Sequence, residues 1–199
     1  MRTVFLHGLG QTAKDWDEAI KRASGLEADC PEIFSLTKGD MTYSQILKGL
    51  ERRYADTAES FRICGISLGA MLALDYAIRH GNKVDSLILI GVQYKSPGLL
   101  IDFQNILFRC MPQAAFEGIG LSKKDVIKLT TSMRTLDFSA DLKKIVCPVD
   151  IVCGEKDTAN LKAAKKLSGL LGQAKLHIIP GAGHEVNKCA PEAIAKILS

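Results

Sequence analysis

Gly65-Ile66-Ser67-Leu68-Gly69 sets a serine between a short apolar segment, Phe61-Arg62-Ile63-Cys64, and a helix-forming one, Ala70–Ile78. A G-x-S-x-G at a strand-to-helix turn is the arrangement of a nucleophile elbow. So abrupt a reversal crowds the positions two before and two after the serine, where only glycine fits. The turn is expected to lift the hydroxyl clear of a sheet and leave it at a helix N-terminus. Backbone N–H groups and the positive end of the helix dipole there favour a developing oxyanion.

A serine hydroxyl is a weak nucleophile at neutral pH and needs a base to take its proton. Of the four histidines, His184 lies in the glycine-rich run Pro180–Asn187, after the last strand-like segment. Such a loop can reach over the sheet edge toward Ser67, so His184 is the candidate base. His80 ends the elbow helix, where a cation suits the dipole, and reads as a surface residue; His177, inside a strand-like segment, reads as structural, and His7, which closes the first one, as shaping its loop. A base in turn needs an acid to hold its tautomer. Gly154-Glu155-Lys156-Asp157 follows another apolar strand, and Asp157, further into the loop than Glu155, is the candidate. The chain order Ser67, Asp157, His184 is nucleophile, acid, base. For the oxyanion hole, the backbone amides of Leu68 and of Leu9 in His7-Gly8-Leu9-Gly10-Gln11 are the expected donors, with the Gln11 side chain a candidate substrate contact.

The elements that must position these groups alternate. Strands are expected at Thr3–His7, Ile33–Leu36, Phe61–Ile66, Ser86–Val92, Val149–Cys153 and Lys175–Ile179. Helices are expected near Thr12–Arg22, Tyr43–Thr57, Ser67–His80, Asn160–Leu171 and Pro191–Leu198. This pattern predicts the α/β class: a mostly parallel six-stranded sheet flanked by helices on both faces. One stretch breaks the rhythm, because roughly fifty residues after Gln93 separate two consecutive strands, far more than a crossover helix needs. Residues 94–144 are therefore expected to form a short helical lid over the sheet's carboxyl edge. Within it, Leu99–Cys110 is apolar on more than one face, and Phe103, Ile106, Leu107 and Phe108 are expected to touch a greasy substrate. Ser122-Lys-Lys-Asp125 reads as a capping box opening a helix that runs through Met133.

The chain of 199 residues is expected to form one domain, 1–199. Its net charge of +4 is mild and its basic residues are scattered, which argues against a nucleic-acid partner. No apolar run approaches membrane-spanning length. Met1–Leu6 enters a strand at once, so no signal peptide is expected, and the six cysteines show no C-x-x-C spacing. Reduced, mostly buried thiols in a cytoplasmic protein are the corresponding expectation.

Taken together, His7-Gly8 with Trp16, the elbow Gly65–Gly69, Ile145-Val-Cys-Pro148-Val, Gly154–Asp157 and Gly181–His184 resemble the α/β-hydrolase superfamily, serine-hydrolase (esterase-like) branch. The motifs fall in order along nearly the whole chain. The resemblance implies a compact member that cleaves a small or medium acyl ester, a small-molecule substrate, through an acyl-enzyme on Ser67. It implies no metal and no organic cofactor. Thioesterase or carbon–carbon bond hydrolase activity with the same residues is the alternative within enzymes. A non-catalytic ligand-binding protein on the same scaffold is the alternative outside them. The chain departs from larger members by starting at the first oxyanion strand, without their opening antiparallel hairpin, so a reduced sheet is expected.

Overall fold

A computed structural model describes residues 1–199, the side chains at positions 100 and 117–119 excepted. Strands β1 (Arg2–Leu6), β2 (Glu27–Asp29), β3 (Phe61–Ile66), β4 (Val84–Ile90), β5 (Val149–Gly154) and β6 (Ala174–Ile179) form one sheet. Their order is β2-β1-β3-β4-β5-β6, and every pairing is parallel. The helices are α1 (Asp17–Arg22), α2 (Tyr43–Arg53), α3 (Leu68–Arg79), α4 (Gly98–Cys110), α5 (Lys123–Met133), α6 (Thr158–Leu170), α7 (Val186–Cys189) and α8 (Pro191–Leu198).

The strands are apolar on both faces because both faces are covered. Val4, Leu6, Ile63, Leu87, Leu89 and Ile151 point into a core closed by α2, α3, α5 and α6. Their chain neighbours Phe5, Cys64, Ile88, Ile90 and Val152 point into a second core closed by α1, α7 and α8. Helix α3 is buried from Leu68 through Ala77, which explains why its sequence shows no polar stripe. Because β2 lies to one side of β1 and β3 to the other, the winding reverses between β1 and β3. Open α/β sheets bind ligands outside the carboxyl ends of the strands at such a reversal. The His7–Gln11 loop and the Ser67 turn both leave the sheet there.

The second strand is not where the apolar pattern puts it. Ile33–Leu36 is a 3-10 turn, and the strand is Glu27–Asp29. As a three-residue edge it needs no buried alternation. Pairing with Arg2–Val4 holds it, together with Asp29, which accepts from Arg2, Arg53 and Tyr54. Ile33 is apolar because it is fully buried from the turn, not because it alternates. The cysteines also differ from expectation: Cys64 and Cys153 are buried, Cys30 and Cys147 half-buried, and Cys110 and Cys189 exposed, all as free thiols. Among the described residues, no helix is long and apolar enough to cross a membrane.

Candidate active site

Ser67 is the one non-glycine residue of positive φ among those described, at φ 53° and ψ −114°. Its backbone N–H donates to the Ile90 carbonyl at 2.8 Å, tying the turn to the central strand β4. A methyl group at Gly65 would overlap the backbone of Gly69 and Ala70, and one at Gly69 would overlap the Leu6 carbonyl. These overlaps are the steric demand read from the G-x-S-x-G spacing. Strain at one residue is sustained by packing around it, here α3, buried from Leu68 through Ala77.

Ser67 lines a cavity of about 320 Å³ together with His184, Leu9, Leu68, Met71, Gln93, Ser96, Pro97, Ile101, Gln104, Thr130 and Met133. Neither the Leu9 nor the Leu68 backbone N–H donates to an acceptor among the described residues. Among the described residues of that lining, His184 is the only ionisable side chain. Its Nδ1 lies 2.7 Å from Asp157 Oδ2, and the Asp157 side chain is only 5% exposed while the imidazole is 40% exposed. No hydrogen bond joins Ser67 to His184 among the described residues. Such bonds are often long without substrate and tighten on binding.

The other histidines serve the scaffold. The buried His7 donates from Nδ1 to the Gly8 carbonyl at 2.9 Å and accepts the Ile33 N–H at Nε2, 3.1 Å away. Burial holds its pKa below the ordinary value, so the ring is neutral and its 3.3 Å approach to Glu32 is no ion pair. His7 thereby fixes the loop that carries Leu9. His177 pairs with Asp150 at 2.7 Å and His80 with Glu51 at 3.1 Å, both away from the cavity. Glu155 accepts the Gly181 N–H at 2.8 Å, closing the histidine loop on the acid turn without reaching His184.

Several expected substrate contacts stand elsewhere. Gln11 does not line the cavity. Its Oε1 accepts from the Gly8 N–H at 3.3 Å, and its Nε2 donates to Glu185 at 3.0 Å and Asn187 at 3.2 Å. Gln11 is therefore a clamp between the Leu9 loop and α7. Phe103, Ile106 and Leu107 are 58%, 57% and 49% exposed, and Phe108 packs edge-on against Phe116. The reason is the rotation of α4 about its axis. Asn105 bonds Thr130 and Thr131, and Asp102 pairs with Arg134, so polar residues turn α4 toward α5. Ile101 and Gln104 then face the cavity, and the phenyl-bearing side faces outward. Leu100, counted in the same apolar run, lies outside the described side chains.

Three residues at the site carry no motif and escape sequence reading. Gly91, at φ 57°, follows β4; a methyl there would come within 2.8 Å of His184 Cε1 and 3.0 Å of Nδ1. Gln93 and Asn160 bond one another at 2.7 Å, and Asn160 bonds Asp157. Beside them, the Cys153 thiol is pushed up to about 11 by burial and then by the nearby Asp157, so it stays protonated.

The model of the alpha/beta hydrolase family matches residues 3–197. The chain belongs to that family. Its similarities within it are distant. A Bacillus subtilis (strain 168) protein described as a candidate 2-succinyl-6-hydroxy-2,4-cyclohexadiene-1-carboxylate synthase is 23% identical, over 98% of this chain and 88% of that one. Among solved structures, an esterase of Exiguobacterium antarcticum superposes with a TM-score of 0.85 at 16% identity, covering 100% of this chain and 90% of that one. MenH from S. aureus superposes with a TM-score of 0.74 at 18% identity, covering 100% and 92%. These likenesses establish an alpha/beta hydrolase fold, and the chemistry rests on the cavity.

Proposed function

We propose that this alpha/beta hydrolase is a serine esterase for a small or medium acyl ester. Ser67 attacks the carbonyl; His184 takes the serine proton and returns it to the leaving alcohol. Asp157 holds the Nδ1–H tautomer of His184, and the Leu9 and Leu68 amides receive the oxyanion. Water, activated by His184, then clears the acyl-enzyme. The observation that carries this reading is one cavity lined by a serine on a strained turn and by a histidine held 2.7 Å from a buried aspartate. Segment 94–144 supplies Ser96, Pro97, Ile101, Gln104, Thr130 and Met133 to the same cavity, which supports its reading as a lid.

The lining also bears on the leaving groups and acyl groups that fit. Among the described residues it holds no lysine or arginine to serve as counter-charge to a buried substrate carboxylate. Burying an unpaired carboxylate is costly, which favours a neutral ester over a carboxylate-bearing compound such as the one in the B. subtilis protein's name. A fluorophosphonate probe tests the reading. The wild-type protein is expected to label once, with the adduct mapped to Ser67 by peptide mass spectrometry. Folded protein that does not label, or labels at another residue, overturns it.

Acyl-chain preference is set by the residues that face the cavity. Met133→Ala enlarges it and is expected to raise kcat/KM for nitrophenyl octanoate relative to butyrate by about tenfold, the value of a methylene or two in an apolar pocket. Phe103→Ser, on the outer side of α4, leaves that ratio unchanged. A ratio that follows Phe103 and ignores Met133 would return the outer face of α4 to the substrate.

A further inference from the structure

Asp157 stands at the N-cap of α6, a position where an aspartate ordinarily accepts a backbone N–H from the first turn. Here its side chain makes no such capping bond. Both carboxylate oxygens accept instead from the side-chain amide of Asn160, three residues on, at 2.9 Å each. Asn160 is itself buried, and its Nδ2 lies 3.1 Å from His184 Nδ1. An asparagine amide can face either way, with its two donors or its carbonyl toward the acid. Gln93 decides which. Its Nε2 donates to Asn160 Oδ1 at 2.7 Å and to the Ala159 carbonyl at 3.2 Å, so the Asn160 amino group must point at Asp157.

We propose that Gln93 and Asn160 form a positioning relay that fixes the plane of the Asp157 carboxylate and thereby the tautomer and orientation of His184. This rests on the serine-esterase reading above and adds to it two residues from outside the Ser-Asp-His set. A carboxylate on a single χ2 torsion is free to rotate. With Asn160 donating to both oxygens, the Asp157 carboxylate is held in one plane, with Oδ2 turned to the imidazole. When Nδ1 carries its proton toward Asp157, it has no lone pair for Asn160, so the Asn160 contact is with the carboxylate, one amide N–H being shared between its two oxygens. Asn160 does not line the cavity and touches no reacting atom. It acts through Asp157, and Gln93 acts through Asn160.

Asn160→Leu, Gln93→Leu and the double variant test the relay, each checked for an unchanged melting transition. Asn160→Leu is expected to lower kcat on a soluble nitrophenyl ester by about a hundredfold, the order lost when a reacting group is misplaced by an ångström. KM should stay within a factor of about two, because the loss falls on the transition state alone. Gln93→Leu, on a half-buried residue that reaches Asp157 only through Asn160, should lose less. The double variant should lose no more than Asn160→Leu. Losses that multiply would show Gln93 working independently and overturn the relay, as would wild-type kcat in Asn160→Leu. The second readout needs no turnover: the far-downfield Nδ1–H proton resonance of His184, expected in the wild type and shifted or lost in both single variants. If it is unchanged in Asn160→Leu, the relay is wrong whatever the catalyst. Wild-type protein that fails to label with fluorophosphonate while this resonance responds overturns the esterase reading and leaves the relay standing.

Discussion

Ser67→Ala is expected to lower turnover of a nitrophenyl ester by roughly six powers of ten and to abolish fluorophosphonate labelling, the scale set by removing the nucleophile of a complete acyl-transfer site. The fold should survive the change. Alanine carries the same Cβ as serine, so the strain at φ 53° is already present and no new atom enters the turn. The Ile90 bond is made by the backbone and is untouched. Stopped-flow measurement of acylation with the melting transition alongside checks both halves. Activity that persists in Ser67→Ala would place the chemistry elsewhere. Protein that binds esters in the cavity without turnover, before any mutation, would support the non-catalytic reading.

That so much of this site can be read before folding follows from where its parts sit. The elbow, the acid turn and the histidine loop are each a run of a few residues at a strand's carboxyl end, and a parallel sheet delivers all such ends to one edge. The alternating apolar segments therefore carry the parallel sheet and the edge at which Ser67, Asp157 and His184 lie, but not the strand order or the place of the second strand. Features that depend on contacts between distant segments are not written locally. Glu27–Asp29 has no strand pattern because its stability comes from Arg2, Arg53 and Tyr54. The apolar run in α4 cannot say which side faces the cavity. That is decided by Asn105 and Asp102 finding Thr130, Thr131 and Arg134 on a second helix. Gly91, Gln93 and Asn160 look like ordinary loop and helix-start residues until β4 and α6 bring them against His184 and Asp157.

Asp157→Asn carries the second large expected effect, a loss of about four powers of ten in kcat with the fold retained, as for loss of the tautomer-holding acid elsewhere. The Asn160 amide reaches both side-chain positions of residue 157 equally, at 2.9 Å each, so it faces one carbonyl and one amino group in either orientation of an asparagine there. Unlike the carboxylate, that asparagine can turn its amino group to His184 Nδ1. The imidazole then carries its proton on Nε2, where it cannot accept one from Ser67. Glu155→Gln, by contrast, keeps an acceptor for the Gly181 N–H and loses only an exposed charge, worth less than about 1 kcal/mol. Kinetics of the two variants side by side separate the candidate acids, and a large loss in Glu155→Gln alone would overturn the choice of Asp157. The exchanged pair Asp157→Asn with Asn160→Asp sharpens the argument. It returns a carboxylate to within hydrogen-bond reach of Nδ1, at the place where Asn160 now sits 3.1 Å away, and lets Gln93 and the new amide at position 157 donate to it. The exchange should recover a measurable part of the lost kcat, which a purely structural role for Asn160 would not produce.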